Sequence, residues 1–386
     1  MIVRYQNARL VDATGERFGD LYTENGRILY AGPADYGYCD KTVDVNGNAI
    51  LPAFIDLHCH LRDPGYPQKE TMETGMRAAL KGGYAMLCAM ANTNPVINTP
   101  ELAEQNHKRA RGLRLCKLMQ AAAAGENLED NIPTDRAALA KITNILTNDG
   151  KTIFSDGFMR QLLLDSKRYG FLISTHCQPE RQTVKRDIEL LKETRGNLHI
   201  GHISRAETVE MVRGAKAEGL TLTCEVTPHH LFGYDDAFSV NPPLRTKADV
   251  EALIGGIVDK TVDCLSTDHA PHTEDDKRAG MAGISNIEYA VSIYLTVFYA
   301  HKIPLTRLAE LTSYAPARRL KIKAGLIAPG YPADIVVLNT EEEYEIRKNR
   351  MISKSHNTPF EGRKVRGRVL KTIVEGETRY EYGQAL

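Results

Sequence analysis

Leu51-Pro-Ala-Phe-Ile-Asp-Leu-His-Cys-His-Leu-Arg62 is the stretch from which the fold of this chain is read. Its apolar residues, Leu51, Phe54, Ile55 and Leu57, follow Ile50 and have the character of a buried strand that two histidines close. His58 and His60 are two apart, and side chains alternate across a strand, so both point to one face. Two neutral imidazoles on one face at the mouth of a strand suit a divalent metal. Alone, the pair is better explained as polar residues at a strand end. The argument rests on what stands at the ends of the other strands.

Downstream the texture is strand followed by helix, repeatedly. Strand-like runs fall at 49–57, 84–90, 113–119, 152–154, 171–175, 198–201, 220–226 and 262–267. Helix-like periodicity falls at 71–80, 134–146, 181–194, 206–217, 247–258 and near 286–299. Eight strands alternating with helices predict an α/β fold, a closed parallel (β/α)8 barrel of the TIM type, whose usual size is about 250 residues. No G-x-G-x-x-G follows the first strand, which argues against a doubly wound open sheet. Residues 1–50 alternate short apolar patches with turns, and Asn25-Gly26 is a hairpin signal. β texture returns after 324, in Ala333-Asp-Ile-Val-Val-Leu338 and in 365–374. The domain expectation is therefore an accessory β domain of 1–50 with 325–386, built from both termini, beside a barrel of 51–324.

Lys plus Arg total 49, as do Asp plus Glu, so no field attracts nucleic acid or an anionic membrane surface. No apolar run reaches the length of a membrane span, and no basic-then-apolar leader opens the chain. Seven scattered cysteines without C-x-x-C read as reduced thiols. The cysteine usage points to the cytoplasm.

Active groups of such barrels lie at the C-terminal ends of the strands. Strand one ends in His58 and His60, strand four in Ser155-Asp156-Gly157, strand five in His176, strand six in His202 and strand eight in Asp268-His269. Singly, each has an ordinary explanation, since a strand-end Asp commonly caps the next helix. Four histidines and two aspartates at one mouth are not explained that way. Nitrogen and oxygen donors without thiolate suit zinc, with manganese or cobalt as alternatives. One ion would take His58, His60 and Asp268, a second would take His176 and His202, and Asp156 would bridge them. Such a site lowers the pKa of bound water to roughly 7.

With their flanks, these residues resemble the amidohydrolase superfamily and, within it, the dihydroorotase family. The matching pieces are Phe54-Ile-Asp-Leu-His-Cys-His-Leu-Arg62, Ala91-Asn-Thr-Asn-Pro95, Phe154-Ser-Asp-Gly157, Glu225-Val-Thr-Pro-His-His-Leu231, Asn241-Pro-Pro-Leu-Arg245 and Ser266-Thr-Asp-His-Ala-Pro-His272. The resemblance implies reversible cyclisation of N-carbamoyl-L-aspartate to L-dihydroorotate in de novo pyrimidine (UMP) biosynthesis. It implies Asp268 as general acid/base, and Arg62, Asn94, Asn241 and His272 as substrate-binding residues. Arg62 would clamp the substrate carboxylate through two parallel hydrogen bonds. An aspartate at the bridging position, where hydantoinases and most allantoinases carry a carboxylated lysine, selects the aspartate-bridged subgroup. A homo-oligomer is implied, with a carbamoyltransferase of the same pathway as candidate partner. The alternatives are a hydrolase of another cyclic amide, such as hydantoin or allantoin, and a catalytically silent scaffold.

The chain departs from the family at Pro52-Ala53, at Met90-Ala-Asn-Thr93, after His176, and in the loop Ala279-Gly-Met-Ala-Gly283, where Ala282 and Gly283 would contact the ring. His229, His230 and His269 read as structural, and Cys59 and Cys177 as packing residues.

Overall fold

The computed structural model describes residues 1–33 and 36–384. Its core is a parallel barrel with strands β1 Phe54–Cys59, β2 Tyr84–Ala89, β3 Lys117–Gln120, continued by Ala122–Ala123, β4 Ile145–Thr147, β5 Leu172–Thr175, β6 Leu198–Ile200, β7 Leu222–Val226 and β8 Cys264–Leu265. Closure comes at the strand ends. Asp268 N–H donates to His58 O at 2.9 Å, and His60 N–H donates to His269 O at 2.8 Å, joining the segment after β8 to β1. The fold is a (β/α)8 barrel with a small accessory β domain.

Among the described residues the accessory sheet has eight strands. Among them are Ile2–Asp12, Gly15–Glu24 and Arg27–Gly32 from the start of the chain, and Ile335–Glu345, Lys364–Val374 and Glu377–Glu381 from its end. The run 49–57, expected as one strand, is two. Ala49–Pro52 pairs with Ile335–Leu338 and with Arg9–Leu10 in the accessory sheet, while β1 belongs to the barrel. Between them Ala53 N–H donates to Asp334 O at 2.9 Å and Phe54 N–H to Gly83 O at 3.0 Å, so the backbone changes partners within one residue.

Several helices lie where the apolar periodicity puts them, Ala206–Ala217 and Lys247–Val258 among them. The helix Met72–Lys81 starts at Thr71, whose side chain accepts from Thr74 N–H, and it buries Met72, Met76, Ala79 and Leu80. Each large apolar side chain so buried contributes about 1.5–3 kcal/mol.

The fourth strand is where the expectation fails. The predicted helix 134–146 is only Arg136–Leu139, and its tail is strand β4, lying between Ala122–Ala123 and Leu172–Ser174. The predicted strand 152–154 is loop. Phe154 and Ser155 N–H both donate to Asp130 Oδ2, at 2.6 and 2.7 Å, and Ser155 caps the helix Asp156–Tyr169. All seven cysteines are free and six are buried. Among the described residues no helix is long and apolar enough to cross a membrane.

Candidate active site

The ends of β1, β4, β5 and β6 and the segment after β8 converge on Asp149, which lies two residues beyond β4 and is 3 % exposed. Asp149 Oδ1 faces His58 Nε2 at 3.2 Å, His176 Nδ1 at 3.5 Å and His202 Nε2 at 3.6 Å. Its Oδ2 faces His60 Nε2 at 3.4 Å. Asp268 Oδ1 lies 3.1 Å from His60 Nε2 and 3.7 Å from His58 Nε2. The structure thus brings together His58, His60, His176, His202 and Asp268, all buried. Burial would raise the Asp149 carboxyl, but the imidazoles that face it, His58 foremost, hold it well below the usual carboxylate range.

Asp156 is not among them. Its side chain is 65% exposed and pairs with Arg186 Nη1 at 2.9 Å. It is the first residue of its helix, so it is a helix-start acid, and Asp149 stands in the position expected for Asp156.

A second ring of groups fixes the imidazoles. His58 Nδ1 donates to Glu225 Oε1 at 2.7 Å, which leaves the Nε2 lone pair aimed at the centre. That Nε2 is buried and has no hydrogen-bond partner. Glu225 also accepts from His199 Nε2 at 3.0 Å and from Ser266 Oγ. Against the upward push of burial, His199 and His58 keep Glu225 well below the carboxylate range. His60 Nδ1 donates to Asn92 Oδ1 at 2.9 Å, so its Nε2 also faces inward. Two sets, His58/His60/Asp268 and His58/Asp149/His202, each place their donor atoms within 4.8 Å of one another. Buried carboxylates ringed by inward lone pairs are costly unless a cation sits among them. The donor set fits a divalent metal.

The backbone is strained here. Arg62, His202 and Asp268 have φ of 56°, 30° and 45°, a left-handed region that non-glycine residues seldom enter. Gly201 precedes His202 because a Cβ there would lie 2.9 Å from Thr175 O and 3.4 Å from the His58 ring.

Beside the centre is a cationic pocket. Arg62 Nε donates to Pro271 O at 3.1 Å, and its Nη2 lies 3.1 Å from His272 Nε2. The other ring nitrogen of His272 lies 3.2 Å from Lys69 Nζ and 3.6 Å from Asp276 Oδ2. Burial, then the charges of Arg62 and Lys69, pull His272 down to about 3. Arg and Lys carry only donors, and a neutral imidazole has one acceptor. Both contacts cannot be hydrogen bonds at once, and a bound anion would accept from all three groups. Asn241 is exposed, with Nδ2 donating to His176 Nε2 at 3.1 Å. Asn94 is exposed beyond β2, its N–H donating to Pro64 O at 3.1 Å, against the Arg62 turn.

Sequence reasoning missed Asp149, Asn92, Glu225 and Lys69. For Asp149 a signal existed: Asn148-Asp149-Gly150 follows the β-type run Ile145-Leu-Thr147. Asn92 and Glu225 lay inside matching pieces. Lys69 had none.

The family model described as "Amidohydrolase family" matches residues 49–379. A dihydroorotase of Caldanaerobacter subterraneus subsp. tengcongensis is 38% identical over 379 residues, 88% of each chain. A dihydroorotase of Thermoanaerobacter sp. is 37% identical, covering 99% of this chain and 97% of that one. Among solved structures, an L-hydantoinase (dihydropyrimidinase) from Arthrobacter aurescens has a TM-score of 0.91 at 22% identity, over 100% of this chain and 97% of that one. A D-hydantoinase reaches 0.91 at 23% identity, over 100% and 96%. These two likenesses concern the fold.

Proposed function

Because this chain belongs to the amidohydrolase family, on the match over residues 49–379, we propose that it is a cyclic-amide hydrolase of the dihydroorotase kind. It interconverts N-carbamoyl-L-aspartate and L-dihydroorotate in pyrimidine synthesis. The observation that carries this reading is the pocket of Arg62, Lys69 and His272 placed next to the His–Asp centre. Two cations against Asp276 leave one positive charge, which suits a ring bearing one carboxylate. Hydantoin and allantoin rings carry none, and the curated relatives at 37% and 38% identity are dihydroorotases.

His58, His60, His176, His202, Asp149 and Asp268 would hold one or two divalent ions, zinc foremost. When bound, the metal supplies Lewis acidity, which lowers the pKa of water and polarises an amide carbonyl. Arg62 receives the substrate carboxylate in two-point fashion, with Lys69 and His272 as further donors. Asp268 takes the proton of the attacking water and returns it to the ring nitrogen, and the reverse transfer serves ring closure. Asn94 and Asn241 contact the ring amides from the rim. Glu225 and Asn92 keep two imidazoles in the ligating tautomer. The same reading includes a homo-oligomeric, cytoplasmic enzyme, with a carbamoyltransferase as candidate partner.

The test is an assay of purified protein on dihydroorotate, hydantoin and allantoin, with metal content measured alongside. Turnover of dihydroorotate by metal-loaded protein supports the reading. Turnover of only the two neutral rings overturns it.

A further inference from the structure

Two stretches without regular secondary structure flank the proposed substrate pocket. One runs from Gly233 to Thr246 and carries Asn241, and the other runs from Ala279 to Ile287. Apart from a bridge between Ile284 and His269, neither belongs to a sheet. They meet through Ser239 Oγ, which donates to Gly280 O at 3.1 Å, through Gly283 N–H, which donates to Ser239 O, and through one ammonium. Lys277, in the helix Glu274–Arg278, donates to Ser239 O at 2.7 Å, Met281 O at 2.9 Å and Gly283 O at 3.0 Å. An ammonium has three hydrogens, and here three carbonyls take them. The Phe238 ring centroid lies 4.2 Å from Nζ and covers the charge.

Two of the three accepting carbonyls, Ser239 and Gly283, bear on a pocket residue. Ser239 is two residues before Asn241, whose amide donates to His176. Gly283 N–H donates to Ser239 O at 3.0 Å, so both stretches meet at the atom that Lys277 holds. Gly283 also backs the His272 ring. A Cβ there would lie 2.4 Å from Ala270 O and 2.8 Å from His272 Cδ2, at a φ of 151°. Asn357 completes the brace, donating to Gly283 O at 2.8 Å and accepting from His272 N–H at 3.1 Å.

We infer that Lys277 is a positioning residue, a three-way staple that sets the distance between Asn241 and His272 and so the width of the substrate pocket. Its position explains how the loop Ala279–Gly283, where the chain departs from the family, presents Gly283 against His272. The inference rests on the reading of Asn241 and His272 as substrate-facing.

The test is kinetics on dihydroorotate with Lys277→Arg, Lys277→Gln and Lys277→Met, alongside metal content and thermal unfolding. Removing hydrogen bonds to a charged donor is expected to raise KM about tenfold to a hundredfold in Lys277→Met. KM should rise in the order Arg, Gln, Met, with kcat and metal content within about threefold of the parent. An unchanged KM in folded Gln or Met variants overturns the inference. So does a fall in kcat and metal content at constant KM, which marks a purely structural role. If Lys277→Met does not fold, the Gln and Arg variants decide, and failure of all three to fold also overturns it. Should the parent enzyme not turn over dihydroorotate at all, the functional reading fails, an outcome distinct from these.

Discussion

Two aspartates seven positions apart separate the site as built from the site as first read. Asp149 touches four imidazoles and Asp156 touches an arginine at the surface. Asp149→Ala is therefore expected to lose bound metal and at least about a hundredfold in kcat/KM, since it removes a carboxylate that the whole cluster faces. Asp156→Asn is expected to leave both within about twofold, as an exposed pair contributes little. Metal analysis with steady-state kinetics checks both. Lys69→Met is expected to raise KM for dihydroorotate about tenfold or more by removing one charged donor, without slowing any turnover of a neutral ring. His272 gives a pH dependence. Its ring titrates at about 3 in the folded chain against an ordinary 6.5. As pH falls below about 6.5, the unfolded chain takes up a proton that the folded chain refuses, so this contribution to stability is lost progressively down to about 3. His272→Asn, which has no proton to take up, is expected to show a flatter Tm across that window. The four histidines and Asp268 were legible because each follows a short apolar run of strand character, set off by helix-like stretches. Asp149 was hidden by a misread run rather than by any ambiguity of its own.

The misreading belongs to β4. Leu139, Ile142, Ile145 and Leu146 are spaced as on a helix face, yet the last two, with Thr147, form a strand buried on both sides. Periodicity cannot separate these cases in so short a run, and the neighbours decide. With parallel strands on both edges, Ile145–Thr147 has every reason to be extended. The run 152–154 looked like a strand from its Thr-Ile-Phe composition, yet the Phe154 N–H goes to the Asp130 side chain. By contrast Lys247–Val258, with its Thr246 capping box, declared its start locally. Leu146, fully buried, makes the strand testable. Leu146→Ala is expected to cost about 2–5 kcal/mol in urea unfolding, and to loosen metal binding by letting Asp149 move.

At the level of the molecule, barrel and accessory sheet meet in the backbone. Ala49–Pro52 lies between a strand from the start of the chain and one from its end, and a single residue later the chain is β1, carrying His58 and His60. Composition placed both sheet halves in the sequence, since hairpin and alternation are local signals. That Ala53 would be the exchange point was not readable, because it depends on Asp334 and Gly83 as partners. This arrangement has a bearing on biosynthesis. The ribosome releases the Ile335–Leu338 partner of Ala49–Pro52 only after the entire barrel has emerged. Until then Ala49–Pro52, one residue before the strand that carries the first histidine pair, keeps an apolar edge open to solvent.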